Sequence, residues 1–155
     1  MKILFRLFLR TTLFLLILSY GALVVYAYLP FEEIPTKELT TKDDLFINVS
    51  GHNIRYRQYL TQENNSPNLI LIHGFGNNLQ SWRSITPLLA ANYNIFTLDL
   101  LGFGLSDKPT DYDYSNANQA ISIGQFANAL NLESFIVGGH SLGGAIAFHV
   151  AKNNN

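Results

Sequence analysis

The chain has no cysteine. That excludes disulfides, thiolate metal sites, a cysteine nucleophile and a lipid-modified N-terminal cysteine. Charge is scarce as well: Asp, Glu, Lys and Arg make up 14% of the 155 residues, and the net charge is −1. No basic run lies beyond the extreme N-terminus, so nothing favours a phosphate-binding surface or a nucleic acid partner. Against these absences, 48% of the residues are hydrophobic, which argues against disorder. The length suits one compact domain and is too short for two.

One long apolar run is present. Lys2, Arg6 and Arg10 precede residues 13–29, which are almost unbroken in their hydrophobicity and end at Pro30. As a helix rising 1.5 Å per residue, this run covers roughly 25 Å, and Thr11, Thr12 and Pro30 extend it toward the ~30 Å hydrocarbon core of a bilayer. Tyr20, Tyr26 and Tyr28 lie in or near its outer end, where aromatic rings favour the interface. With cations before the run and Glu32, Glu33 and Glu38 after it, the positive-inside rule keeps the N-terminus cytoplasmic and exports the remainder. An uncleaved anchor is one reading. A signal peptide cleaved near Val25-Tyr26-Ala27, leaving a secreted or periplasmic protein, is the other.

Three regions follow from this: a membrane anchor or signal segment at 1–29, a linker at 30–44 rich in proline and charge, and a domain at 45–155. Within the domain the apolar period shortens to that of strands. Leu45 to Val49 and Ile54 to Tyr59 read as two strands around a Ser50-Gly51 turn, with His52 in the turn. Leu69 to Ile72, Asn94 to Leu98 and Ser134 to Val137 are further strands; the apolar runs at 69–72 and 134–137 suit strands covered on both faces. Between them, helices are expected at about 81–91, with Trp82, Ile85, Leu88 and Leu89 on one face, and at 115–130, with Ser115 as N-cap. A last helix is expected from Gly143 to Lys152. Strand–helix alternation after an opening hairpin implies an α/β fold with a mostly parallel, doubly wound sheet.

The chemistry concentrates at Gly139-His140-Ser141-Leu142-Gly143, between a buried strand and a helix. A G-x-S-x-G turn in that setting strains the serine backbone and lifts its Oγ clear of the sheet. Side chains at 139 or 143 would meet neighbouring chain, and Gly138 and Gly144 extend the small-residue stretch. The amide of Leu142, at the helix start, is placed to donate to an oxyanion. A second motif, His73-Gly74-Phe75-Gly76, follows the 69–72 strand; the amide of Phe75 is the candidate second donor, and glycines at 74 and 76 allow close backbone approach. The third runs from Asp99 to Pro109 after the 94–98 strand.

These three motifs, in this order, resemble the α/β-hydrolase family, in particular its esterase, lipase and C–C-bond hydrolase branches, over about residues 46–152. The resemblance implies Ser141 as nucleophile, with Phe75 and Leu142 as amide donors, His73 as a residue that orients the donor loop, and Asp99 in a structural role. It implies acyl transfer to water through an acyl-Ser141 intermediate, on a small ester or lipid-like substrate, with no cofactor and no metal. Related dehalogenases and many epoxide hydrolases carry Asp at the nucleophile position, so those activities are disfavoured; perhydrolysis remains an alternative. The family orders its triad Ser, then Asp or Glu, then His. After Ser141 there is no acidic residue and one histidine, His149, two helical turns on and roughly 12 Å along the axis. A base must lie within about 3 Å of the hydroxyl. The expectation is therefore the N-terminal half of a longer hydrolase, or a non-catalytic remnant of one, with a strand at 134–137 left as an apolar edge.

Overall fold

The computed structural model describes residues 2–29, 34–63 and 65–153. It divides into two compact units, 1–35 and 36–155. In the first, α1 (Lys2–Ala27) is a single helix with no buried residue, beginning well before the apolar run at 13–29. It is long and apolar enough to cross a membrane by length and composition, with a mean hydropathy of 1.9. Pro30, Glu32 and Glu33, invoked for its outer end, lie outside the described residues, as do Asn154 and Asn155.

The second unit is built on five strands: β1 (Leu45–Val49), β2 (His52–Tyr59), β3 (Asn68–Ile72), β4 (Asn94–Leu98) and β5 (Ile136–Gly139), in the order β1-β2-β4-β3-β5. The hairpin β1–β2 turns through Ser50 and Gly51, both at positive φ (51° and 91°), as a two-residue turn matched to strand twist requires. The turn is tighter than expected, so His52 is the first residue of β2, paired with Val49. β2 runs antiparallel to β4, while β4, β3 and β5 are parallel.

Alternation along β3 explains why the sheet is covered twice. Ile70 and Ile72 join Phe96, Leu98, Phe126 and Ile146 in the larger core, beneath α4 (Asn116–Ala129) and α5 (Leu142–Asn153). Leu69 and Leu71 point the other way and pack with Ile95, Trp82 and Leu89. That second cover is thin. The helix expected at 81–91 is instead a 3₁₀ turn, Leu79–Trp82, and one turn of α3, Thr86–Leu89. Pro87 is the reason: it lacks an amide hydrogen and is accommodated only in the first turn of a helix, so the chain restarts there. Trp82 and Leu89 face the sheet, whereas Ile85 and Leu88 are exposed.

Two boundaries move. Strand β5 occupies 136–139 rather than 134–137, because its register pairs Leu69 with Ile136 and Ile72 with Gly139. The N-terminal part of the unit starts at Thr36: α2 (Thr36–Leu39) and the turn Thr41–Asp44 belong to it, although 30–44 reads as a linker. The cause is Asp44, whose fully enclosed carboxylate receives Arg55 Nη2 at 2.9 Å and Arg57 Nε at 2.7 Å. Helix α4 starts where its cap is: Ser115 accepts from the Asn118 amide.

Candidate active site

Strand order determines where a site can form. The segment after β3 crosses to the face of α3, and the segment after β5 crosses to the face of α5, yet β3 and β5 are neighbours. Their C-terminal ends therefore open a crevice at the switch point of the sheet. His73-Gly74-Phe75-Gly76 leaves one side of it and Gly139-His140-Ser141 the other.

At the turn between β5 and α5, Ser141 has φ 54°, a left-handed conformation that costs a non-glycine residue energy. Backbone hydrogen bonds hold it there: His140 donates to Ile72 at 3.2 Å, Gly143 to His140 at 2.9 Å, and Gly144 to Ser141 at 2.9 Å. A Cβ on Gly139 would overlap the carbonyl of Gly143, and one on Gly143 would overlap the carbonyl of Ile72. Both positions are thus closed to any side chain. Gly144 and Gly138 are not so constrained; an added Cβ there meets backbone at 3.4 Å or the end of the Leu71 side chain at 3.1 Å. Ser141 is exposed, and no hydrogen bond joins its Oγ to a described residue.

The two motifs meet across the crevice. A Cβ built on Gly74 would lie 3.1 Å from His140 Nδ1 and 3.4 Å from Ser141 Cβ, so the two chains approach closely here and a side chain would press on the elbow. Gly76 is required for a different reason than close approach: nothing lies within 4 Å of it, but its φ is +69°. Phe75 between them is exposed and sets its ring edge-on to Phe103 at 5.8 Å. Leu142 is the first residue of α5, so its amide has no acceptor within the helix.

His73 is fully buried. Its Nε2 accepts from the Leu100 amide at 3.1 Å, which leaves the proton on Nδ1, 2.8 Å from the Gly74 carbonyl. Burial lowers its pKa, against the opposing pull of the Gly74 hydrogen bond and the Asp99 charge. The neutral ring is therefore a brace between the loops after β3 and β4, and its lone pair is already used.

Asp99 is equally buried and accepts from the Leu79 amide (2.7 Å), the Leu105 amide (2.8 Å) and Arg55 Nη1 (3.1 Å). Ser106 joins this cluster, donating to the Asp99 carbonyl at 2.7 Å and accepting from the Arg55 amide at 2.9 Å. Arg55 spans Asp44 and Asp99. Sequence reading missed it, since Arg55 and Arg57 alternate along β2 as an exposed face would. His149, on α5, has its ring beside Phe148 and makes no hydrogen bond to Ser141.

Two hollows flank the elbow. One, about 460 Å³, is lined by Phe75, Phe103, Tyr114, Gln119, Leu142 and Ile146. The other, about 590 Å³, lies on the opposite side and includes His73, Asn77, Trp82 and His140.

Comparison with known proteins decides the family. The family model for the alpha/beta hydrolase fold matches residues 67–155, more than half of the chain. The chain belongs to that family. It is 33% identical to 2-hydroxy-6-oxo-6-(2'-aminophenyl)hexa-2,4-dienoic acid hydrolase of Metapseudomonas resinovorans, over 77% of this chain and 41% of that protein. Lipase 1 of Psychrobacter immobilis is 44% identical over 51% of this chain and 25% of its own length. Among solved structures, a membrane phospholipase A described as a bacterial virulence factor superposes with a TM-score of 0.66 at 30% identity, over 93% of this chain and 46% of that one. The chain thus spans less than half the length of these relatives.

Proposed function

We propose that this chain carries the nucleophilic half of a serine hydrolase, acting on esters through an acyl-Ser141 intermediate. The carrying observation is the elbow: Ser141 at φ 54° between β5 and α5, in a turn that admits no side chain at 139 or 143. The amides of Phe75 and Leu142 are the proposed oxyanion donors, on either side of the crevice that brings Gly74 and Ser141 together. His73, Gly74, Gly76, Gly139, His140, Gly143, Gly144 and Asp99 support that geometry without taking part in bond making. A lipase and a phospholipase among the relatives favour an ester or lipid-like substrate, and the dienoic acid hydrolase keeps C–C-bond cleavage as the alternative.

In this reading a general base still has to reach the Ser141 hydroxyl, which no described residue hydrogen-bonds. Covalent capture by a fluorophosphonate tests the assignment; the adduct belongs on Ser141 and is absent from Ser141→Ala. The same missing base favours a second reading, a hydrolase-like module without turnover, and failure of Ser141 to react even with a base supplied in solution would support it. We further propose that 1–29 serve as anchor or signal segment and that the hydrolase domain, whose compact unit reaches back to Thr36, lies on the extracytoplasmic side of the membrane.

A further inference from the structure

His140 and Leu142 stand on either side of Ser141 in the chain, and each lines a different hollow. The same division separates Gly74, on the His140 side, from Phe75, on the Leu142 side. An ester carbonyl placed over Ser141, within reach of the Phe75 and Leu142 amides, therefore sends one arm toward each hollow. The Leu142 side, about 460 Å³, is walled largely by Phe75, Phe103, Leu142 and Ile146, and suits an alkyl group. Its one cation, Lys108, already donates to the carbonyls of Gly104 (2.8 Å) and Ser106 (3.1 Å).

The His140 side, about 590 Å³, is polar, and its free groups are donors. Asn78 Oδ1 accepts from the Gln80 amide at 2.9 Å, and Gln80 Oε1 from Arg57 Nη1 at 3.4 Å. A backbone amide and a guanidinium can only donate, so these contacts fix which end of each side chain is oxygen. What Asn78 and Gln80 leave free are their amide nitrogens. Neither nitrogen has a hydrogen-bond partner among the described residues, and neither is a buried unpaired atom, so both remain open to solvent. Arg83 lines the same hollow and is exposed. Its Nη1 donates to the Gln80 carbonyl at 3.2 Å, while Nε and Nη2 have no partner among the described residues. No Asp or Glu among those residues lines the hollow. Spare donors beside one positive charge suit an anionic acceptor. The single charge matches a carboxylate, whereas a phosphate monoester carries nearly two.

We propose that the site takes half-esters, whose alkyl arm lies in the Leu142 crevice and whose other arm ends in a carboxylate held by Arg83 beside His140. Arg83 is then a specificity-determining residue, favouring an anionic arm over a neutral one of the same shape. Calling the half-ester a substrate rests on Ser141 being the nucleophile; its binding does not.

The test uses the monobutyl esters of succinic, glutaric and adipic acid, ionised at pH 7.5, so that the reach of the anionic arm varies. Each is paired with a neutral isostere in which the free carboxylate is a primary amide. All are titrated into the full ¹⁵N-labelled chain and into Ser141→Ala, which cannot consume the ester. Binding is followed by NMR at Arg83 Nε and at the backbone amides of Lys108, His140 and Ile146. At least one half-ester is expected to bind about five-fold more tightly than its amide, the order of one exposed ion pair, and to shift Arg83 Nε. Added salt should narrow that gap. In Arg83→Gln the members of each pair should converge, with the response of Ile146 to the butyl group retained. Equal binding within all three pairs, or discrimination that persists in Arg83→Gln, overturns the proposal. A carboxylate that shifts Lys108 in place of Arg83 overturns it as well. Should Arg83→Gln fail to fold, the unsubstituted chain still decides: Arg83 Nε must move with the half-ester and not with the amide. Unreactive Ser141 with intact discrimination removes the hydrolase reading alone, and reactive Ser141 without discrimination removes this one alone.

Discussion

At neutral pH, His73 carries no charge, and its two nitrogens are both committed, one to Leu100 and one to Gly74. It therefore works as a strut, and a strut with a depressed pKa leaves a signature in stability. The unfolded chain titrates near 6.5 and the folded one lower, so protons bind the unfolded state preferentially in that window. The contribution is complete above about 6.5 and is lost as pH falls from there toward the folded pKa. His73→Leu is expected to lower stability at pH 7.5 by about 1–3 kcal/mol, the cost of stranding two buried backbone partners. It should also flatten the fall in urea midpoint between pH 7.5 and 5.5. A variant as stable as the wild type, or one with an unchanged pH slope, would show that the ring is not the brace described.

Among the elements, the segment from α2 to Asp44 has the largest unanticipated role. Burial opposes ionisation of Asp44, but hydrogen bonds from Arg55, Arg57 and the Thr41 amide outweigh it and hold the carboxyl well below the usual carboxylate range. Arg57 is correspondingly raised: burial disfavours its charge, and Asp44 more than restores it. Asp44→Ala leaves Arg55 buried with one partner fewer and is expected to cost about 3–5 kcal/mol in urea unfolding at pH 7. Because the folded pKa is depressed, that advantage is present above about 3.8 and is lost as pH falls below it, so the two chains should converge in acid.

The strands and the elbow were legible because period and glycine spacing are local signals. The 94–98 strand and the Ser115 cap fall where pattern alone puts them. The Asp44–Arg55–Asp99 chain was not, since it joins residues separated by 11 and 44 positions and its charges resemble a solvated face. Burial of Gln119 was hidden for the same reason: a polar residue in a helix reads as surface until α5 and the loop after β4 close over it. The broken helix at 81–91 shows a local signal underweighted, since Pro87 stands in plain view.

For the whole molecule, two features belong to surfaces rather than cores. Residues of α1 are exposed throughout, and an apolar helix of that length is stable in water only if something covers it. The chain expressed in its membrane fraction is expected to resist extraction by alkaline carbonate, whereas a chain lacking residues 2–29 should be released. Recovery of the intact chain in the soluble fraction would contradict an anchor. The other surface is the end of the sheet. Strand β5 pairs only with β3 among the described residues, Ile136 is 48% exposed and Phe148 on α5 is 70% exposed. The candidate site thus stands beside an open edge of the sheet.

The central claim is that the elbow presents Ser141 as a nucleophile. Its most direct test is intact-mass and peptide analysis of the chain after exposure to a fluorophosphonate, with and without imidazole in solution as a substitute base. One adduct is expected, on Ser141, formed slowly alone and at least about ten-fold faster with imidazole, as general-base catalysis allows, and absent from Ser141→Ala. No adduct under either condition, or adducts spread over other serines and retained in Ser141→Ala, would contradict it.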